Sequence, residues 1–174
     1  IISMAASYGF TRFGFLHADN DTGRKHLANV NRLLAQLKLP AAQPFVMAKG
    51  ITADAIANSL LSGNVQAMFN HGSYDFYGDI ILQTRKTTAS KVHFFAVNSG
   101  IAQMARKLGE SGKGVTFTSV VPFSTSGREA IAREFRALYA ASYPNETPSL
   151  GAMEGYISAQ VLVEGLKRAG ARPS

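Results

Sequence analysis

The chain has 174 residues, 46% of them apolar and 17% charged, enough to bury one substantial core and too apolar for a disordered segment. Its formal charge is +7, but Lys and Arg cluster only as pairs (Arg24-Lys25, Arg85-Lys86, Arg106-Lys107, Lys167-Arg168) with no basic stripe of interleaved aromatics, so nucleic acid is not an expected partner. The absence of Cys excludes disulfides, thiolate catalysis and zinc–thiolate sites, and no apolar run approaches the roughly 18 residues that a membrane-crossing helix needs.

The opening stretch, Ile1 to Gly9, lacks the basic segment and cleavage pattern of a signal peptide. It is predicted to be the last turns of a helix stopped by Gly9, a residue that tolerates the left-handed conformation. On that reading the chain starts inside a helix and is a fragment of something longer.

Five short apolar runs follow, RFGFLH (12–17), PFVMAK (44–49), VQAMFN (65–70), VHFFAV (92–97) and VTFTSVV (115–121), with starts 32, 21, 27 and 23 residues apart. Each leads into a small-residue loop and then a helical pattern, and that spacing forces successive strands to run parallel. The first loop, 18–23, precedes a helix over 24–37 with Leu27, Val30, Leu34 and Leu37 at helical spacing and Asp21 or Thr22 as its cap. Thr52 or Asp54 caps a short helix that Gly63 ends. The third strand gives way to the loop 70–74 and a helix over 75–87, and the fourth to the loop 98–100 and a helix ending near Leu108. After the fifth strand come the loop 122–127, a helix over 128–142, a connector over 143–149, and a last helix over 150–169. That helix carries Met153, Ile157, Val161 and Leu162 on one stripe. The fold class is α/β, a three-layer lobe with a mainly parallel sheet flanked by helices. No internal boundary is visible, so 1–174 is expected to be a single lobe.

An open parallel sheet places its chemistry in the loops beyond the carboxyl ends of its strands. Asp19-Asn20-Asp21-Thr22-Gly23 lies in such a loop. A phosphotransferase of the haloacid-dehalogenase type needs Asp-x-Asp-x-Thr/Val, and here Thr22 is one place early. A calcium loop begun at Asp19 would want a carboxylate where Val30 stands. The residues favour a helix cap with ligand contacts over catalysis. His17 and His71 fall on the same sheet edge beside Asp19, yet without the spacing of a metal site, while His26 and His93 read as structural. No phosphate-binding Gly-rich loop follows a strand, so no cofactor is expected. The edge loops instead share short hydroxyl, amide and aromatic groups, Asn20 and Thr22, Ser73 and Tyr74, Asn98 and Ser99, Phe123 and Ser124. Such groups suit a binding cleft without a catalyst. The alternative from these residues is an enzyme of doubly wound fold acting through Asp19, Asp21 or His71.

The segments TRFGFLHADNDTGRKHLANVNRLL, MFNHGSYDFYGDIILQTRK, VHFFAVNSGIAQMARKLGESGKGVTFTSVVPF, EFRALYAASYP and PSLGAMEGYISAQVLVEGLKRAG cover nearly the whole chain. In this order they resemble the carboxyl-terminal lobe of type I periplasmic binding proteins, the branched-chain amino acid-binding group that feeds ABC importers. The resemblance implies a two-lobed receptor with a hinge, of which the amino-terminal lobe is absent here. It further implies a small polar solute as ligand, a membrane ABC permease as partner, a periplasmic location and no enzymatic activity. Thr22 holds the place where the family offers an aromatic side chain, Ser73 and Tyr74 match its polar and aromatic contacts, and Asn98 or Ser99 stands where a carboxylate often meets the ligand's ammonium. The expected ligand-binding residues are therefore Asn20, Thr22, Ser73, Tyr74, Asn98 and Ser99. The departures widen the ligand class from an α-amino acid to a carboxylic or aromatic acid, an amide or an uncharged solute. A ligand-sensing domain of a regulator shares this lobe and is a third reading. An isolated lobe is expected to bind its solute poorly and to cover its cleft face with another copy of itself.

Overall fold

The computed structural model describes residues 1–87, 91–96 and 100–170. Two compact units divide the chain after Thr118. The first contains α1 (Ile2–Ser7), β1 (Phe13–Ala18), α2 (Asp21–Gln36), β2 (Gln43–Met47), α3 (Ala53–Ser62), β3 (Ala67–His71), α4 (Tyr74–Arg85), β4 (His93–Ala96), α5 (Ile101–Leu108) and β5 (Thr116–Phe117). The second contains α6 (Ala130–Ser142) and α7 (Leu150–Ala169).

All five expected strands are present and pair in the order β2-β1-β3-β4-β5, every ladder parallel. Alternation along each strand sends neighbouring side chains to opposite faces. Phe13, Phe15, Phe69 and Phe95 face Val30 and Leu34 of α2 and Ala5 of α1. Leu16, Met68, Phe94 and Ala96 face Ile56 and Leu60 of α3, Ile80 and Ile81 of α4 and Met104 of α5. Both faces are covered, which is why the strands read as continuous apolar runs. On the first face Phe13 stacks on Phe69 at 5.7 Å and Phe69 on Phe95 at 4.9 Å. On the second, Tyr77 is fully buried with its hydroxyl 2.7 Å from the Met68 carbonyl oxygen and 3.1 Å from that of Phe95. Burial pushes that phenol well above its ordinary pKa, against the hydrogen bond to Phe95, so it stays a donor.

Three expectations are corrected. α2 begins at Asp21 rather than at residue 24, because Asn20 and not Asp21 or Thr22 caps it, Oδ1 accepting from the Gly23 N–H at 2.8 Å. β5 is two residues long instead of reaching residue 121. Thr118 N–H still donates to the Ala96 carbonyl, but Ser119 Oγ then accepts from Val121 N–H and donates to the Val121 carbonyl, a local turn that competes with the ladder. In α7, Met153 is buried against Phe135 and Ala132 of α6, whereas Val161 and Leu162 are 67% and 63% exposed. The stripe is real as a pattern, but only its first turns meet α6. The other boundaries agree to within a few residues, with Thr52 capping α3, Ser73 capping α4, and Gly9 at φ +86° ending the turn after α1.

Candidate functional site

The strand order puts a reversal between β1 and β3. α2 leaves β1 toward one face and α4 leaves β3 toward the other, so the chain parts beyond the carboxyl ends of these two strands, where an open parallel sheet has its crevice. His17 and His71 are register partners at its base.

The β1 side is set by a close approach. A Cβ on Gly23 would overlap the Ala18 carbonyl oxygen and lie 2.9 Å from His17 Nδ1, so only glycine lets the first turn of α2 press against the strand end. His17 is 3% exposed, and its Nδ1 lies 2.9 Å from the Ala18 oxygen. A carbonyl can only accept, so that nitrogen carries the proton. Asp19 and Asp21 both reach Arg24, at 3.4 and 2.6 Å. One guanidinium thus serves both carboxylates of the loop. Thr22 is exposed in the first turn of α2.

On the β3 side, Ser73 Oγ accepts from Phe76 N–H at 3.3 Å, and Tyr74 opens α4 with its side chain 38% exposed. The Tyr74 ring lies against Gly100, whose φ of +77° and missing Cβ make the space, since a Cβ there would overlap Cγ of the ring. Lys107 of α5 fixes α4 from behind. Its Nζ donates to the Asp75 carboxylate at 2.6 Å, lies 2.7 Å from Asp79, and its stem runs across Gly78. Burial pulls the Lys107 pKa down, but the hydrogen bonds and charges of Asp75 and Asp79 outweigh it and hold the ammonium above its ordinary value.

Three further groups complete the crevice. Met47, ending β2, reaches across to Gly72, where a Cβ would collide with its methyl group. Asn70 is 4% exposed, and its Oδ1 has no hydrogen-bond partner among the described residues. His71 stacks on His26 of α2, ring centroids 3.6 Å apart and planes 26° from parallel. Burial, and after it the charge of His26, lower the His71 pKa from its ordinary value of 6.5.

Of the six residues expected to bind ligand, Asn20, Thr22, Ser73 and Tyr74 stand on this edge at the starts of α2 and α4, with Asn20 and Ser73 also serving as caps. Asn98 and Ser99 lie outside the described residues. In the second unit, Phe123 is half exposed, whereas Ser124 is buried and donates to the Pro148 carbonyl at 2.8 Å, a structural bond. The sequence reading missed Met47, Asn70 and the His26–His71 contact, which depend on which strand lies beside which. No group of three His, Asp or Glu that could hold a metal occurs among the described residues. At the amino edge, a hollow of about 380 Å³ is lined by Phe10, Arg12, Gln66 and Lys91. There Gln66 Oε1 is taken by the N–H groups of Thr11 and Arg12, and Arg12 Nε by the Asn64 carbonyl.

Comparison with curated proteins finds no match. Solved structures do match. A substrate-binding periplasmic protein from Ralstonia solanacearum is 25% identical, with 99% of this chain covering 50% of that one at a TM-score of 0.75. An extracellular ligand-binding receptor from Verminephrobacter eiseniae is 23% identical, with 98% of this chain covering 50% of the other at 0.79. A leucine-binding protein from Thermotoga maritima is 21% identical, with 97% covering 49% at 0.73. The chain therefore spans about half the length of the structures it resembles. The sequence model of the periplasmic binding proteins matches residues 1–174 from end to end, and the chain belongs to that family.

Proposed function

We propose that this chain is the carboxyl-terminal lobe of the solute-binding component of an ABC importer. It takes a small polar solute, an amino acid or a related carboxylate or amide, at the crevice between β1 and β3. The observation that carries the reading is the convergence there of two capped helix starts, α2 and α4, with the hydroxyls of Thr22 and Ser73 and the ring of Tyr74. Helix starts present partial positive charge. The nearby carboxylates Asp19, Asp21 and Asp75 are held in ion pairs with Arg24 and Lys107. The helix starts themselves therefore favour an anionic or neutral polar group from the solute. Family and fold are those of solute-binding proteins, and the crevice is read as a binding surface without turnover.

In this reading a second lobe closes over the solute by hinge motion, the receptor works outside the cytoplasmic membrane, and its partner is the membrane permease. Alone, the lobe offers half of the contacts, binds weakly and covers its cleft face with another copy of itself. The test is titration calorimetry on the two-lobed protein with amino acids, their oxo-acid analogues and their amides. Losing a buried hydrogen bond costs about 1–3 kcal/mol, so Tyr74→Ala and Asn98→Ala should each weaken binding roughly 5- to 150-fold, and Asp19→Ala should change it little. Near-wild-type affinity in both the Tyr74 and Asn98 variants would place the site elsewhere.

A further inference from the structure

We propose that His26 and His71 form a proton-sensitive clasp that holds the β3–α4 loop in place at neutral pH and releases it on acidification. The inference rests on the crevice as the solute site and adds a control to it. His71 is the last residue of β3, directly before Gly72, Ser73 and Tyr74, and His26 sits on the second turn of α2, whose first turn carries Thr22. Their stacked rings, 3.6 Å apart, join the two elements that flank the crevice, one on each side. No hydrogen bond joins the two side chains, so their link is ring contact.

Two neutral imidazoles stack without penalty, and one imidazolium on a neutral ring is attractive. Two imidazolium rings at this separation repel, and the pair titrates in two coupled steps. The carboxylates near the pair are engaged with other cations. From β1, His17 is the facing titratable group, and its Nδ1–H is committed to the Ala18 carbonyl. From α2 and the loop before it, Asp19 and Asp21 are paired with Arg24, and Lys25 is an exposed cation. From α4, Asp75 is held by Lys107. From α1, Ile2 contributes an uncharged side chain to the hollow beside the rings. That hollow, about 150 Å³ and walled otherwise by Val30 and Phe69, gives the rings room to part. The lowered pKa of His71, caused by burial and then by His26, agrees with a site that resists the second proton.

The consequence is directional. Above the second step the loop carrying Ser73 and Tyr74 is tied to α2, and below it the tie is lost and the crevice loosens on its β3 side.

The test needs no ligand. In the wild-type chain, the imidazole C–H signals of His26 and His71 are followed by NMR between about pH 8 and about pH 5. The expected result is a coupled, two-step titration, with the amide signals of Gly72 and Ser73 moving in the more acid step. Amide exchange over 72–76, corrected for its intrinsic pH dependence, should accelerate on the order of tenfold across that step. In His26→Gln, His71 should titrate in one step and at higher pH than in the wild-type chain, still held down by burial, and the loop exchange should no longer follow pH. Independent titration of the two rings overturns the clasp, as does a loop that ignores the second step or an unchanged His71 in the variant. Should His26→Gln fail to fold, the wild-type loop amides decide alone. Failure of every solute to bind leaves these readouts intact and tells against the solute reading only.

Discussion

The same substitution, Gly to Ala, should have opposite signs at two helical positions of this chain, and the structure says why. At Gly23 the added methyl would overlap the Ala18 carbonyl oxygen and stand 3.1 Å from the Ala18 carbonyl carbon. Those atoms belong to the end of β1, which is hydrogen-bonded into the middle of the sheet and cannot move aside cheaply. The first turn of α2 must lift instead, stretching the 2.8 Å bond from Gly23 N–H to Asn20 Oδ1. Overpacking costs about 1–3 kcal/mol and loss of a helix cap about 1 kcal/mol more. Together they amount to about 2–4 kcal/mol, a fall in Tm of roughly 4–16 °C for a domain of this size. At Gly155, inside α7, nothing lies within 4 Å of the added methyl. There the change only removes glycine's backbone freedom and should stabilise the helix by about 0.5–1 kcal/mol. Thermal unfolding followed by circular dichroism measures both. A Gly23→Ala variant that melts within about 1 °C of wild type would refute the close approach on which the β1 side of the crevice depends.

Tyr77→Phe should lower stability by about 1–3 kcal/mol in denaturant titration, because the hydroxyl beside the Met68 and Phe95 carbonyl oxygens is lost from a fully buried position. Asn70→Leu should raise Tm, since it replaces a buried amide whose oxygen has no partner among the described residues by an apolar group of similar volume, and calorimetry on the two-lobed protein proposed above should reveal whether that oxygen meets the solute. Folding stability should also decline as pH falls through about 6.5. Burial and the charge of His26 lower the His71 pKa, and burial and Arg85 lower that of His93. The unfolded chain then binds more protons between the ordinary value and the folded ones, so stability is full above that window, falls within it and levels off below it. Denaturant midpoints that stay flat from neutral to mildly acid pH would contradict both assignments.

Periodicity in a sequence reports burial, and in this chain it located the strands of the sheet and the helices between them. The five parallel strands and the helices between them follow from apolar runs separated by small-residue loops, because a strand buried on both faces has no polar side to show. The apolar spacing of α2 located the helix, yet its first residue was misplaced, since the cap is a hydrogen bond and three neighbouring residues of the loop, Asn20, Asp21 and Thr22, can all make one. β5 was overextended for a related reason. Val120 and Val121 have the propensity of a strand, but the Ser119 hydroxyl gives their backbone another partner. The α7 stripe shows the converse error, a helical pattern that is correct while Val161 and Leu162 on it stay largely exposed.

The crevice divides along the same line. That Asn20, Thr22, Ser73 and Tyr74 share one edge was legible because the loops after the strand ends of a parallel sheet all lie there. Met47, Asn70 and the stacked histidines were not. Met47 meets Gly72 only because β1 separates β2 from β3 and leaves a gap one methionine can span. His26 and His71 are 45 positions apart and meet only because α2 crosses back over the face to which His71 points. Strand order is fixed by the crossovers and the packing of whole helices, a global property that no window of sequence contains. Contacts that depend on it are therefore the ones by which members of a shared fold can differ without changing a single element, and they are where the specificity and control of this lobe are to be sought.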